Sequence, residues 1–171
     1  MNILEVIKKR RSVRKFQDRE IPKDLVDKLI EALIWAPSAG NLQSRKFYFI
    51  RNQGLKDGLV EAAWGQSFIA KAPLVIAACA DMRIRTHYGS RGTDLYALQD
   101  VAASVQNLML LACEHGIATA WVGAFDEDSA ARVLELPQHL RPVVIVPVGY
   151  PAEKPRTPER VHTDKAVVFV D

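Results

Sequence analysis

Leu74-Val75-Ile76-Ala77-Ala78-Cys79-Ala80 is an uninterrupted apolar run of strand length. With no polar residue at alternate positions, it predicts a strand buried on both faces. Such a strand needs cover above and below, and the flanking sequence offers it. Downstream, 94–115 is apolar nearly all round, with small Ala97, Ala102, Ala103 and Ser104 allowing close approach. It predicts a helix of ~33 Å buried on several sides, stopped by Gly116. Upstream, Leu25, Leu29, Ala32, Leu33 and Ala36 recur at helical spacing, with Pro22 in the first turn and Pro37 as the stop. Val143-Val144-Ile145-Val146-Pro147-Val148 is a second apolar strand. Pro147 removes a ladder donor and is expected at a bulge or strand end.

Shorter elements fill the gaps. Asn2 with Glu5 predicts a reciprocally capped helix over 3–9. Strands are expected at 47–50 and 118–122, helices at 55–63 and 126–134, and a short helical turn at 67–71 before Pro73. Residues 82–92 carry Arg83, Arg85, His87 and Arg91 with two glycines and read as a mobile surface loop. A polar tail, 151–165, leads to a final strand, 166–170, with no neighbour to pair with. Helices and strands alternate around a central sheet, giving α/β or α+β. At 171 residues the expectation is one domain, 1–171.

Composition excludes several classes. Apolar residues make up 49% and charged residues 25%, so disorder is excluded. No apolar run approaches the ~18 residues of a membrane span, and residues 1–5 carry no secretory signal; the expectation is a cytoplasmic protein without a membrane partner. Cys79 and Cys113 lie in apolar contexts without CxxC spacing and read as reduced core residues. His87, His115, His139 and His162 are scattered, so no metal site is expected. GxGxxG, GxxxxGK[ST] and GxSxG are absent, and no carboxylate pair stands out. Basic residues are not interleaved with aromatics along the chain, so no nucleic acid is expected.

Three segments remain. Arg10-Arg11-Ser12-Val13-Arg14 leaves the first helix extended, which would put Arg10, Ser12 and Arg14 on one side, as a phosphorylated ligand requires. A second basic group, Lys154, Arg156 and Arg160, could converge with it on one anion. Pro37-Ser38-Ala39-Gly40-Asn41-Leu42-Gln43 offers small residues and amides to the edge of a heterocycle. Trp121-Val122-Gly123-Ala124-Phe125 lets a ligand approach the main chain. Taken singly, these segments also read as a solvated helix end, a loop and a tight turn.

Their order carries a resemblance. Arg-Arg-Ser-Val-Arg-Lys-Phe (10–16), Ala-Pro-Ser-Ala-Gly-Asn-Leu-Gln (36–43), Ala-Ala-Trp-Gly-Gln-Ser-Phe-Ile (62–69), Leu-Gln-Asp-Val-Ala-Ala (98–103), Trp-Val-Gly-Ala-Phe (121–125) and Pro-Val-Gly-Tyr-Pro (147–151) together resemble the nitroreductase-like FMN flavoproteins. The resemblance implies an α+β, α/β/α sandwich with a mainly antiparallel sheet. It also implies an intertwined homodimer, completed by exchanged tails (151–171), with FMN at the interface. Arg10 and Ser12, flanked by Arg11, match positions at the FMN phosphate and ribityl chain. Arg14 matches a cation near N1 and O2 of the flavin ring. Pro37, Ser38, Ala39 and Asn41 match a loop that reaches the flavin from the partner chain. Gln66 matches an amide at the pyrimidine edge, Gly123 and Ala124 the backbone near N5, and Lys154 and Arg156 a late basic pair on the phosphate, with Arg160 the alternative to Arg156.

The implied activity is ping-pong reduction of nitroaromatics, quinones or similar flat acceptors by NADH or NADPH, with no side chain as general acid or base. The alternatives are a specialised flavin-using relative or a non-catalytic flavin-binding protein. The basic residues of 82–92 offer a site for the 2′-phosphate of NADPH, or simply an exposed basic surface. One departure stands out: where the family often has Pro-Trp after the loop, this chain has Ser44-Arg45, which is expected to reshape the loop and add a charge near the substrate entrance.

Overall fold

The computed structural model describes residues 2–170; Met1 and Asp171, the ends of the expected domain, lie outside the described residues. The elements are α1 (Ile3–Lys9), α2 (Lys23–Ile34), β1 (Arg45–Ile50), α3 (Gln53–Ala62), α4 (Phe68–Lys71), β2 (Leu74–Asp81), α5 (Arg85–Arg91), α6 (Ala97–Glu114), β3 (Ala118–Thr119), α7 (Glu127–Val133) and β4 (Leu140–Gly149). The strands form one sheet in the order β1-β2-β4-β3, antiparallel at every junction.

β2 is central, and every residue from Leu74 to Ala80 is buried. Its alternation sorts the core. Leu74, Ile76, Ala78 and Ala80 face α2 and α6, where Leu25, Leu29, Leu33, Val101, Val105, Leu108 and Met109 pack. Val75 and Ala77 face the opposite layer, with Leu59 of α3, Ile69 of α4, Phe125 and Ala130 of α7. Helices on both faces explain why an antiparallel strand carries the apolar run usually seen in parallel sheets. The fold is α+β, a helix–sheet–helix sandwich.

The expected capping box closes α1: Asn2 accepts from the Glu5 N–H at 2.9 Å, and Glu5 accepts from the Asn2 N–H at 3.1 Å. α6 buries one face only. Ala102, Ala103, Leu110 and Leu111 stay partly exposed, so the second apolar face is without full cover in a single chain.

Three expectations need correction. Residues 82–92 are not an irregular loop. A 3-10 turn (Met82–Ile84), α5 and a π-helical turn (Gly92–Tyr96) run directly into α6. Buried Ile84 and Thr93 anchor the segment, Tyr88 and Tyr96 meet edge to face, and Gly89 (φ 57°) breaks its regularity. Pro147 sits within β4 opposite Val75, not at a bulge; the register shift falls between Ala78 and Cys79 of β2. Proline is tolerated because its missing N–H would point to the other margin, where its carbonyl accepts from Ala120 (3.3 Å) and β3 has only two residues. The segment 166–170 forms no strand in the single chain and is exposed throughout.

Candidate functional site

Arg10 caps α1 (φ −54°, ψ 130°), and the chain leaves extended. Ser12 bridges to Thr119 in parallel, and the Val13 N–H donates to the Thr119 carbonyl at 3.0 Å. Phe16 then bridges Pro151, and the Ala152 N–H donates to the Lys15 carbonyl at 2.8 Å. The N-terminal basic segment is thereby laid between β3 and the start of the tail.

That arrangement opens a cavity of about 400 Å3. Arg10, Arg11, Lys9 and Lys154 line it, with Val13, Ile117 and Ala118 as its apolar part. The two basic groups, more than 140 positions apart, therefore meet. Among the described residues, neither Arg10 nor Lys154 is in an ion pair. Arg11 is structural as well: it donates to the Lys8 and Arg10 carbonyls (2.6 and 2.7 Å) and to Thr157 Oγ1 (3.0 Å), stitching the tail to α1. Glu153 lines the same cavity, and its Oε1 accepts from the Arg14 N–H at 2.7 Å. Ser12, Arg14 and Arg156 do not line it, so the cavity takes the adjacent pair Arg10 and Arg11, not the alternating set expected of an extended stretch. Arg156 and Arg160 are exposed, and Arg160 donates to the Glu159 carbonyl.

A second group gathers beside the first. The Arg14 guanidinium lies 5.7 Å from the centre of the Phe68 ring. Gln66, two residues earlier, donates through Nε2 to the Ala124 carbonyl at 2.9 Å and the Ala63 carbonyl at 3.2 Å. Gln66, Gly123 and Ala124 thus form one patch, with Gly123 and Ala124 exposed.

The third group, Pro37, Ser38, Ala39 and Asn41, lies elsewhere. Ala39 is hydrogen-bonded to Asp100 in the first turn of α6, whereas Cys113 in the last turn lines the basic cavity. Thirteen residues of helix separate these ends, about 20 Å. Within one chain the loop and the cavity do not meet.

Sequence reasoning passed over Asp100. Its signal was a lone carboxylate on the inward face of an otherwise apolar helix. Ser44, expected only to reshape the loop, is buried, and its hydroxyl donates to Asp100 at 2.6 Å. Arg45 does not leave a free charge at an entrance. Its guanidinium donates to the carbonyls of Ile34 (2.9 Å), Ala36 (2.8 Å) and Pro37 (3.1 Å), and burial draws it below its ordinary pKa while Asp100 opposes the shift.

The basic residues of 82–92 are largely engaged locally. Arg83 pairs with Asp81, whose carboxyl it holds below the usual range, and Arg91 donates to Tyr96 Oη at 2.9 Å. Cys79 is buried and its thiol is pushed up to about 12, which keeps it protonated and unreactive. Among the described residues, no group of three or more His, Cys, Asp or Glu could hold a metal, and no helix is long and apolar enough to cross a membrane.

The chain is similar to proteins of known name and structure. A protein of Methanothermobacter thermautotrophicus, provisionally named an NADH dehydrogenase/NAD(P)H nitroreductase, is 34% identical over 174 residues, covering 96% of this chain and 88% of that protein. The crystal structure of a similarly named protein from Parabacteroides distasonis superposes with a TM-score of 0.86 at 27% identity, covering 99% and 98% of the two chains. NADPH:FMN oxidoreductase from Vibrio harveyi, solved with NAD+, shares the fold at a TM-score of 0.92 and 21% identity, over 100% of this chain and 78% of its own. The pattern described as the Nitroreductase family matches residues 7–68 and 60–150, nearly all of the sandwich and the basic segment at Arg10–Arg14, but not Lys154 or the rest of the tail. On sequence and fold together, this chain belongs to the nitroreductase family.

Proposed function

We propose that this protein is an FMN-dependent NAD(P)H oxidoreductase that reduces nitroaromatics, quinones or similar flat acceptors. The observation that carries this reading is the convergence of Arg10 and Arg11 with Lys154 on one cavity. Several cations without a full set of acid partners suit a phosphate dianion, because charge-assisted hydrogen bonds are the strong ones. The apolar part of the cavity and the exposed residues Gly123 and Ala124 suit the rest of a flavin mononucleotide. FMN, when bound, supplies two-electron transfer between a nicotinamide donor and an acceptor, and the protein binds, orients and tunes it. In this reading Arg10, Arg11 and Lys154 hold the phosphate, with Ser12 beside them and Arg156 closing from the tail. Gln66, fixed on the Ala124 carbonyl, faces the ring edge, and Arg14 places its charge near it. Donor and acceptor use one site in turn, a ping-pong order.

The reading requires two copies. Loop 37–41 stands about 20 Å along α6 from the cavity of its own chain, so it serves the site of a second copy. β1 is an edge strand with unpaired backbone groups, and Val167 to Val170 is an exposed apolar segment without a ladder. A strand added at that edge satisfies both.

Protein purified with its bound chromophore is expected to release FMN on heating, identified by chromatography. FAD as the main species, or no flavin after supplementation, refutes the reading, because the cavity is assigned to a terminal monophosphate. Arg14→Ala is expected to lower the flavin reduction potential more than it lowers affinity. A cation near the ring favours the negatively charged reduced form, whereas the phosphate contacts lie elsewhere. Spectroelectrochemistry checks this, and an unchanged potential refutes the placement of Arg14.

A further inference from the structure

We infer that Asp100, acting with Ser44 and Arg45, is the positioning residue that sets the conformation of loop 37–43 and so fixes the surface this loop offers to FMN in a second copy. The inference rests on the FMN reading above and deepens it.

Asp100 is 4% exposed, and both carboxylate oxygens are used on the loop. Oδ1 accepts from the Ala39 N–H at 2.9 Å, and Oδ2 accepts from the Ser44 hydroxyl at 2.6 Å. One buried group therefore ties down the loop near its start and at its end. Arg45 adds a third anchor by gathering the carbonyls of Ile34, Ala36 and Pro37, where α2 gives way to the loop. A carboxylate is costly to bury unless its hydrogen bonds are made, so these partners hold it as firmly as it holds them.

Between the anchors the backbone is unusual. Gly40, Asn41 and Gln43 have φ of 55°, 54° and 52°. Left-handed backbone is natural for glycine but strained for Gln43, and it persists only where the surroundings over-determine it. The Gln43 N–H donates to Ser38 Oγ at 3.1 Å, closing the loop on itself. A Cβ at position 40 would press on the Tyr88 hydroxyl, the movable end of a side chain, so it is the φ of 55° that favours glycine there. The outcome is that Asn41 and Gln43 are exposed on a held main chain. The Pro-Trp that often stands at 44–45 in the resembling family has no hydroxyl for Asp100 and no guanidinium for the α2 carbonyls. Ser44 and Arg45 thus give this chain its own fastening.

The test uses the full-length protein stripped of flavin and titrated with FMN, with Ser44→Ala, Ser44→Thr and Asp100→Ala. Ser44→Ala is expected to raise the FMN Kd about 3- to 10-fold and Asp100→Ala about 10- to 30-fold, as the loss of one or two buried hydrogen bonds implies. Amide hydrogen exchange at 39–43 is expected to quicken in both, and the visible absorption of bound flavin to shift. Ser44→Thr, which keeps the hydroxyl, is expected to restore all three readouts. If Asp100→Ala fails to fold, Ser44→Ala, which removes no charge, decides alone. The inference is overturned if the parent binds FMN and Ser44→Ala leaves exchange, Kd and spectrum unchanged, or lowers only the melting temperature. A parent that binds no FMN overturns the underlying reading, and the inference with it.

Discussion

Arg10→Ala is expected to weaken FMN binding by about 30- to 1000-fold, from charge-assisted contacts worth about 2–4 kcal/mol. Arg10 leaves the C-terminal end of α1 at the mouth of the basic cavity, and its guanidinium is in no ion pair among the described residues. Its charge is therefore available to a ligand. The fold should survive the substitution. Arg10 is half-buried, and the neighbouring anchors are Val6 and Val13, at 2% and 5% exposure. Arg11 makes a useful contrast, since its guanidinium also holds Thr157 of the tail, so Arg11→Ala mixes affinity with local order. Flavin fluorescence titration gives the Kd, and circular dichroism checks the fold. An Arg10→Ala protein that binds FMN as tightly as the parent places the phosphate elsewhere.

Truncation after Arg160 is expected to destabilise the proposed dimer and lower FMN occupancy together. In the single chain Val168, Phe169 and Val170 are 83%, 87% and 91% exposed and have no ladder. A monomer would lose nothing by their removal and would gain solubility. A tail that completes the edge of a second sheet makes the opposite prediction, because the removed segment supplies both main-chain pairing and apolar cover. The FMN loss follows from the proposed two-copy site, in which loop 37–41 of one copy serves the basic cavity of the other. Light scattering gives the mass, and absorbance gives the flavin content. A truncated protein that stays dimeric, yellow and equally heat-stable refutes the exchanged tail.

What the sequence disclosed depended on how local its physics was. The burial of β2, the inward stripe of α2 and the capping box of α1 are written in short-range periodicity, and they stand as read. The order in 82–92 was invisible, because two glycines and four basic or imidazole side chains read as a loop. Its order comes from Ile84 and Thr93 reaching the core and from the Tyr88–Tyr96 contact. Pro147 was misplaced because the tolerance for it depends on which neighbour its missing donor would face. The fastening of loop 37–43 was hidden for the same reason: Asp100 lies 61 positions from Ala39 and 56 from Ser44. The two basic groups were legible as groups, but which of their members line the cavity was decided by how the segment lies against Thr119.

The proline in β4 has a consequence for growth. On its side of the sheet the backbone offers one donor fewer, β3 is two residues long, and the segment around Ser12 already lies against Thr119. Nothing can be threaded on there. The β1 margin is open. A sheet that can be extended at one margin only is a terminus and not a link. In the proposed dimer, two copies that trade tails each fill the other's single vacancy, and the process ends at two. Without that polarity, the same exposed tail would turn a stable pair into the start of a fibre.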